Sequence, residues 1–479
     1  MRALGQRRHS LVALAAAVLC LAGPAWPAAA QPNVRPPGVP PAADMAALPS
    51  PASVNAMPYV VNNAATRQLG PVEQQAPCQQ QAPDSGQNLA TQNLSAEPPA
   101  QQRLRIRQAQ RFATGRGQRV AVIDSGVQPH PRLLGRSIDG GDYIEHRSGL
   151  FDCDGHGTAV AGLIAAAPDA GTQFVGVAPA AQILAIRQAS TFYAVPLRQL
   201  DTGQQIRSPM AGDTVSMARA VLRAVQLGAT VINISEAACF PAEPEQVNAP
   251  DLEAAVHYAV EHNVVVVVAA ANTSSSCKQN SPGRVTTISS PGWFDDDVLT
   301  VAATDDDGRP ADFSIHGPWV DVAAPGTDAV SLAAGRPGLA SGLVDAHGQL
   351  RPLDGTSFAA PYVAGLAALV RERFPHLDAR QVMHRIEQTA QQTTGPRRRR
   401  EDVGYGMIDP VAALTVVLPG EPGSEPGPAD PAKSSGFQPR PPDNSQPRAV
   451  ALTGSAAAVV VLGLVLVVAQ ILKRRENQG

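Results

Sequence analysis

The sequence predicts an α/β fold: a mainly parallel β-sheet with helices on both faces, followed towards the C-terminus by a separate transmembrane helix. Three observations carry this. Through the middle of the chain, short runs rich in Val, Ile and Ala alternate with longer stretches of helical periodicity. Those short runs are continuously apolar, as strands buried on both faces are. Near the C-terminus, residues 449–472 are 24 residues without a charge, long enough to span a bilayer.

The first strand is 118–123 (QRVAVI). A helix at 157–167 leads to a strand at 183–187 (ILAIR), and a helix at 215–227 to a strand at 231–234 (VINI). A helix at 252–262 leads to a strand at 264–271 (VVVVVAAA). One more strand, 298–303 (VLTVAA), precedes helices at 358–374 and 379–389. Strands joined through helices imply right-handed crossovers and parallel neighbours. In such sheets ligands meet the protein beyond the carboxyl ends of the strands.

The flanks have another texture. Residues 1–30 read as a secretory signal: Arg2, Arg7 and Arg8, an apolar run at 11–23 too short to span a bilayer, then Ala28, Ala29 and Ala30. Residues 31–105 are a Pro/Gln-rich extension, 106–416 the folded domain and 417–448 a Pro-rich linker. Lys473, Arg474 and Arg475 directly follow the span at 449–472. They place the tail 473–479 in the cytoplasm and the domain outside it, a single-pass protein of the cell membrane. A formal net charge of −3 offers little to a polyanion, so no nucleic-acid partner is expected. Cys20 lies in the signal. The remaining Cys78, Cys153, Cys239 and Cys277 are an even number in an exported chain and read as two disulfides, with three pairings open. No two of them stand at zinc-site spacing; no metal and no cofactor are expected.

Three motifs carry the chemistry, in the order Asp, His, Ser. VIDSGV at 122–127 is a buried strand ending in Asp124. DGHGTAVAG at 154–162 puts His156 at a helix start. GTSFAAPYVAG at 355–365 puts Ser357 at the start of a long helix. A serine hydroxyl needs a neighbouring base, here His156, to attack at neutral pH. That imidazole needs a carboxylate, Asp124, to hold its tautomer. A helix start adds free N–H groups and a dipole that favour a developing oxyanion. A second oxyanion donor is read in Asn272, which ends the apolar run VVVVVAAAN at 264–272.

These four motifs, in this order, resemble those of the subtilisin (subtilase) family over about residues 119–414, together with VINIS at 231–235 and GYGMID at 404–409. The whole plan is similar to the mycosins, membrane-anchored subtilases of type VII secretion systems. It shares their signal, Pro/Gln-rich extension, DCDGHGT at 152–158, paired cysteines, Pro-rich linker and single C-terminal span. The resemblance implies an extracytoplasmic serine endopeptidase with Asp124, His156 and Ser357 as catalytic triad and Asn272 assisting. It also implies protein substrates, membrane proteins of a type VII secretion complex as partners, and an extension that wraps the domain without inhibiting it. By the same resemblance Ser235, Glu236 and Ala237 lie along an extended substrate, and Ala270, Ala271 and Asn272 line the first side-chain pocket. A glycine is usual where Ala237 stands, which implies a pocket for small residues.

Cys239 and Cys277 each follow one of two consecutive strands in a βαβ unit, whose ends are neighbours, so they are paired; Cys78 is left for Cys153. The loops at 188–213 and 331–353 are placed at the rim of the cleft. Arg397, Arg398, Arg399 and Arg400 are read as a solvated loop, and the acidic runs 295–297 and 305–307 as solvent-facing. Two functions follow: a selective endopeptidase at the outer membrane face, or an interaction subunit of the secretion complex whose proteolysis is secondary.

Overall fold

The computed structural model describes residues 72–78, 96–195, 211–242, 249–391, 398–419 and 421, all within the first of two units, 1–422. The signal at 1–30, most of the extension, nearly all of the linker and the apolar stretch 449–472 lie outside the described residues. Among the described residues no helix is long and apolar enough to cross a membrane.

Seven parallel strands form the central sheet: β1 (Arg119–Asp124), β2 (Ser137–Asp142), β3 (Gln182–Arg187), β4 (Val231–Ile234), β5 (Val265–Ala269), β6 (Leu299–Thr304) and β7 (Val322–Pro325). Their spatial order is β7-β6-β5-β4-β1-β3-β2. The chain starts at the centre, fills one side, and crosses β1 to fill the other. The register aligns Ile123 with Ile234 and Ile234 with Val268, so Asp124 and the residues after β4 and β5 emerge at one edge. That edge, where the winding reverses, is where such sheets take ligands.

Helices α1 (His156–Ala165), α2 (Thr214–Gln226), α3 (Pro250–Glu261), α4 (Thr356–Arg373) and α5 (Ala379–Thr389) complete the layers. Residues 356–370 of α4 are buried without exception. A helix apolar on every side can only be central, and α4 packs against β4, β5, β6 and β7. By contrast α2 and α5 begin with Asp213 and Asp378, each closing a capping box with its third helical residue.

The structure adds strands that the sequence reading lacked. β2 (SIDGGD) is polar and glycine-rich with a bulge at Asp139/Gly141, and β7 is four residues long. Residues 99–104, read as part of the irregular extension, form a helix whose Leu104 is 1% exposed in the main core. Upstream, Glu73–Gln74 pairs antiparallel with Tyr193–Ala194. The disulfides are Cys78–Cys153 and Cys239–Cys277. The acidic and basic runs are not simply solvated. Arg399 is held by Asp295 and by Asp321 at 2.6 Å, and Asp297 binds His257 at 2.8 Å and Arg380 at 2.5 Å. Charges this close to the domain edge lose water and find partners instead.

Candidate active site

Asp124 closes β1 with no exposed surface, and its Oδ1 accepts the Ser125 amide at 2.7 Å. The same oxygen lies 2.7 Å from Nδ1 of His156, the first residue of α1. His156 shows 22% of its side chain to solvent and packs on the Phe358 ring, centroids 5.1 Å apart. A Cβ on Gly157 would sit 2.0 Å from the Gly126 carbonyl oxygen, so only glycine lets α1 approach β1 this closely.

Asp152 ties these two elements together. Its carboxylate accepts from Ser125 Oγ (2.9 Å), the Gly155 amide (2.8 Å), and the amide and hydroxyl of Thr158 (2.8 and 2.6 Å). Ser125 Oγ in turn accepts the Gly157 amide at 2.9 Å. Burial pushes the Asp152 pKa up to about 6, with the Thr158 hydroxyl pulling the other way.

Ser357 is the second residue of α4, so its own N–H has no acceptor within the helix. Proline at 361 removes the N–H that would bond the Ser357 carbonyl four residues back. Ser235 Oγ replaces it, donating to that carbonyl at 2.9 Å while accepting Asn233 Nδ2 at 2.9 Å. Asn272 is aimed by two features. Ala271 before it adopts φ 78°, a left-handed turn off β5 that costs a non-glycine residue about 1–2 kcal/mol. Its Oδ1 then accepts from the amide and hydroxyl of Thr356 (3.0 and 3.1 Å), which leaves Nδ2 as a free donor. A Cβ on Gly355 would lie 2.9 Å from Ser357 Oγ and 3.1 Å from Asn272 Nδ2, so both groups face one point.

That point belongs to a cavity of about 610 Å³ lined by His156, Ser235, Glu236, Ala237, Asn272 and Ser357, with Asp124 behind His156. No hydrogen bond joins Ser357 Oγ to His156 in this resting geometry, as is usual before substrate binds. Ala270 does not line the cavity. It is fully buried in the core, whereas Ala271 and Asn272 line the cavity together with Ala269, because successive residues face opposite ways. From the 331–353 loop, Leu343, Val344, Asp345 and Arg351 reach the rim; of the 188–213 loop, Thr191 and Phe192 do, while 196–210 lie outside the described residues. A smaller, apolar pocket of about 350 Å³ adjoins at Glu236 and Ala237, walled by Met217, Phe240 and Leu252.

Burial alone would lower the His156 pKa, but the charge and hydrogen bond of Asp124, helped by Glu236 and Asp152, raise it above the ordinary histidine value. The Glu236 carboxyl, 3.9 Å from His156 Nδ1, is raised first by desolvation and then by Asp124. Among the described residues, Asp124, His156 and Glu236 are the group with metal-ligand spacing, yet Nδ1 is already spent on Asp124. A carboxylate behind an imidazole, with a hydroxyl and two N–H donors in one cavity, is equipment for acyl transfer through a serine ester. The supports supplied by Asp152, Ser125, Thr356 and Pro361 escaped the sequence reading. Their signal is a polar residue directly after a buried strand, another just before a helix, and a threonine and a proline in the first turns of the central helix.

A family model described as the subtilase family matches residues 115–406. Mycosin-3 of Mycobacterium tuberculosis is 40% identical over 443 residues, 88% of this chain and 94% of that protein. Mycosin-4 of the same organism is 41% identical over 418 residues, 84% and 87% respectively. Among solved structures, the MycP3 protease from the type VII (ESX-3) secretion system is similar at 41% identity and a TM-score of 0.65, covering 74% of this chain and 96% of that one. A chain in the intact ESX-5 inner membrane complex is similar at 37% identity and 0.67, covering 88% of this chain and all of that one.

Proposed function

This chain belongs to the subtilase family of serine proteases, as a relative of the mycosins, and on that premise we propose that it is a membrane-anchored extracytoplasmic endopeptidase of a type VII secretion system. It processes selected secreted proteins through Asp124, His156 and Ser357. The observation that carries this is the 2.7 Å bond between buried Asp124 and His156, beside a Ser357 that shares its cavity.

His156 Nε2 takes the proton as Ser357 Oγ attacks the scissile carbonyl carbon, while Asp124 Oδ1 accepts the Nδ1–H and steadies the imidazolium. The Ser357 amide and Asn272 Nδ2 receive the oxyanion. Collapse breaks the C–N bond, His156 protonates the leaving amine, and water repeats the sequence to free the enzyme. Ser235, Glu236 and Ala237 hold the substrate alongside. The domain plan is the one read from the sequence: signal 1–30, extension 31–105, protease 106–416, linker 417–448, span 449–472 and cytoplasmic tail 473–479.

A second role, as an interaction subunit of the complex, is favoured by the similarity to a chain of the ESX-5 inner membrane assembly over nearly the whole length. Cells lacking the gene, compared with cells carrying Ser357→Ala, separate the two. Purified Ser357→Ala should lose about a million-fold in cleavage rate. In cells it should restore secretion, of uncleaved substrate, that the deletion abolishes. Undiminished cleavage by Ser357→Ala would refute the triad; secretion lost in both strains would refute the subunit role.

A further inference from the structure

Among the described residues, three carboxylates line the catalytic cavity: Asp154, Glu236 and Asp345. Two of them are occupied. Asp154 accepts from the Ser190 hydroxyl at 2.5 Å and from the Thr191 amide and hydroxyl at 2.7 and 2.8 Å. Asp345 binds Arg351 at 3.1 Å and caps its own turn through the His347 and Gln349 amides, both at 2.9 Å. Glu236 has neither. Among the described residues its nearest cationic group is His156 at 3.9 Å, and that ring is held by Asp124.

Its placement is informative. Glu236 lies in the segment between β4 and the strand Ala238–Pro241, and among the described residues neither Glu236 nor Ala237 engages another backbone group. An extended chain can therefore add along it by main-chain hydrogen bonds, with side-chain pockets giving selectivity. The Glu236 side chain is 28% exposed and borders both the catalytic cavity and the apolar pocket. A carboxylate kept half-desolvated and unpaired is unfavourable for the free enzyme; its raised pKa, from burial first and Asp124 second, reflects that. A cation delivered by the substrate would relieve the penalty, and its aliphatic stem would cover apolar wall.

Building on the protease reading above, we propose that Glu236 selects substrates carrying a lysine or arginine in the segment that lies along residues 235–237. The charge is read by a carboxylate beside the catalytic imidazole, so a basic side chain is recognised within the cavity where the bond is cut.

The test uses the full-length protein in detergent and a peptide library scanned at each position around the scissile bond. Lysine is compared with norleucine, its uncharged counterpart, above the acid limb of activity. The wild type should prefer lysine at one position by about tenfold or more in kcat/KM, the scale of a partly exposed ion pair. Glu236→Gln should bring that ratio to about one, and Glu236→Lys should turn the preference to Asp or Glu. The proposal is overturned if the wild type shows no basic preference at any position. It is equally overturned if the preference survives in Glu236→Gln, or if that variant slows on all peptides alike with the ratio intact. Labelling by a fluorophosphonate reports separately on Ser357. A folded wild type that does not label there would overturn the protease reading itself.

Discussion

Asn272 works only because other residues hold it. Its carboxamide oxygen is bound twice by Thr356, and the left-handed Ala271 swings it off β5. Replacing it with alanine should cost about a hundred- to a thousand-fold in kcat, the scale for one lost oxyanion donor. Thr356→Val, which removes one of the two tethers, should lower kcat with little change in KM; steady-state kinetics on a peptide substrate reads both. The charges around His156 set the pH dependence. Protonated His156 cannot accept the Ser357 proton, so activity falls as pH drops through its pKa. Because Asp124, Glu236 and Asp152 together raise that pKa against burial, the acid limb of kcat/KM should lie above about 6.5, the ordinary histidine value. Glu236→Gln removes one of the raising charges and should move the limb to lower pH. A limb that stays put or moves up would mean that Glu236 does not act on His156.

At the scale of elements, the start of α1 hangs on Asp152, which gathers four donors from the end of β1, the approach to the helix and its first turn. Asp152→Ala would leave those buried donors without acceptors. It should cost about 3 kcal/mol or more in stability, read from denaturant unfolding, and lower kcat as His156 loses its seat. What the sequence shows of these elements depends on how much of each is decided locally. The buried strands β1, β3, β4, β5 and β6 are legible because burial on both faces demands unbroken Val, Ile and Ala. β2 is not, since an edge strand with two glycines and a bulge owes its place to β3 alone. The same holds in the site. Asp124, His156 and Ser357 stand at strand ends and helix starts that local pattern reveals. That Ala269 lines the cavity while Ala270 is buried in the core depends on which face β5 turns to it, and a run apolar on both faces does not say which. The Cys239–Cys277 bond is legible because adjacency of β4 and β5 follows from a short right-handed crossover.

For the molecule as a whole, the sheet, its switch point and the central helix account for where the cavity lies, and the proposed span at 449–472 is what would fix where it works. A stop codon after Glu421 removes most of the proposed linker, the proposed span and the tail, but no helix or strand among the described residues. The shortened protein should be exported, leave the membrane fraction and still cleave peptide, which fractionation and a peptide assay check together. Retention in the membrane fraction would place the anchor elsewhere in the chain. The acidic residues at 295–297 follow from this scale too. Asp295 and Asp297 are read as surface charge from sequence alone, but Arg399 and Arg380 arrive from far along the chain to neutralise them.

Pro361 and Ser235 stand 126 positions apart, yet each makes sense only through the other. Proline deletes the donor that the Ser357 carbonyl would have used, and the Ser235 hydroxyl supplies one from the neighbouring strand end. The two positions should therefore show epistasis. Ser235→Ala alone strands a buried carbonyl and should destabilise the protein by about 1–3 kcal/mol. With Pro361→Ala in the background, the restored backbone donor makes the hydroxyl redundant, and most of that loss should vanish. A thermodynamic cycle over the four proteins measures the coupling, and additive effects would show that the carbonyl never depended on either residue.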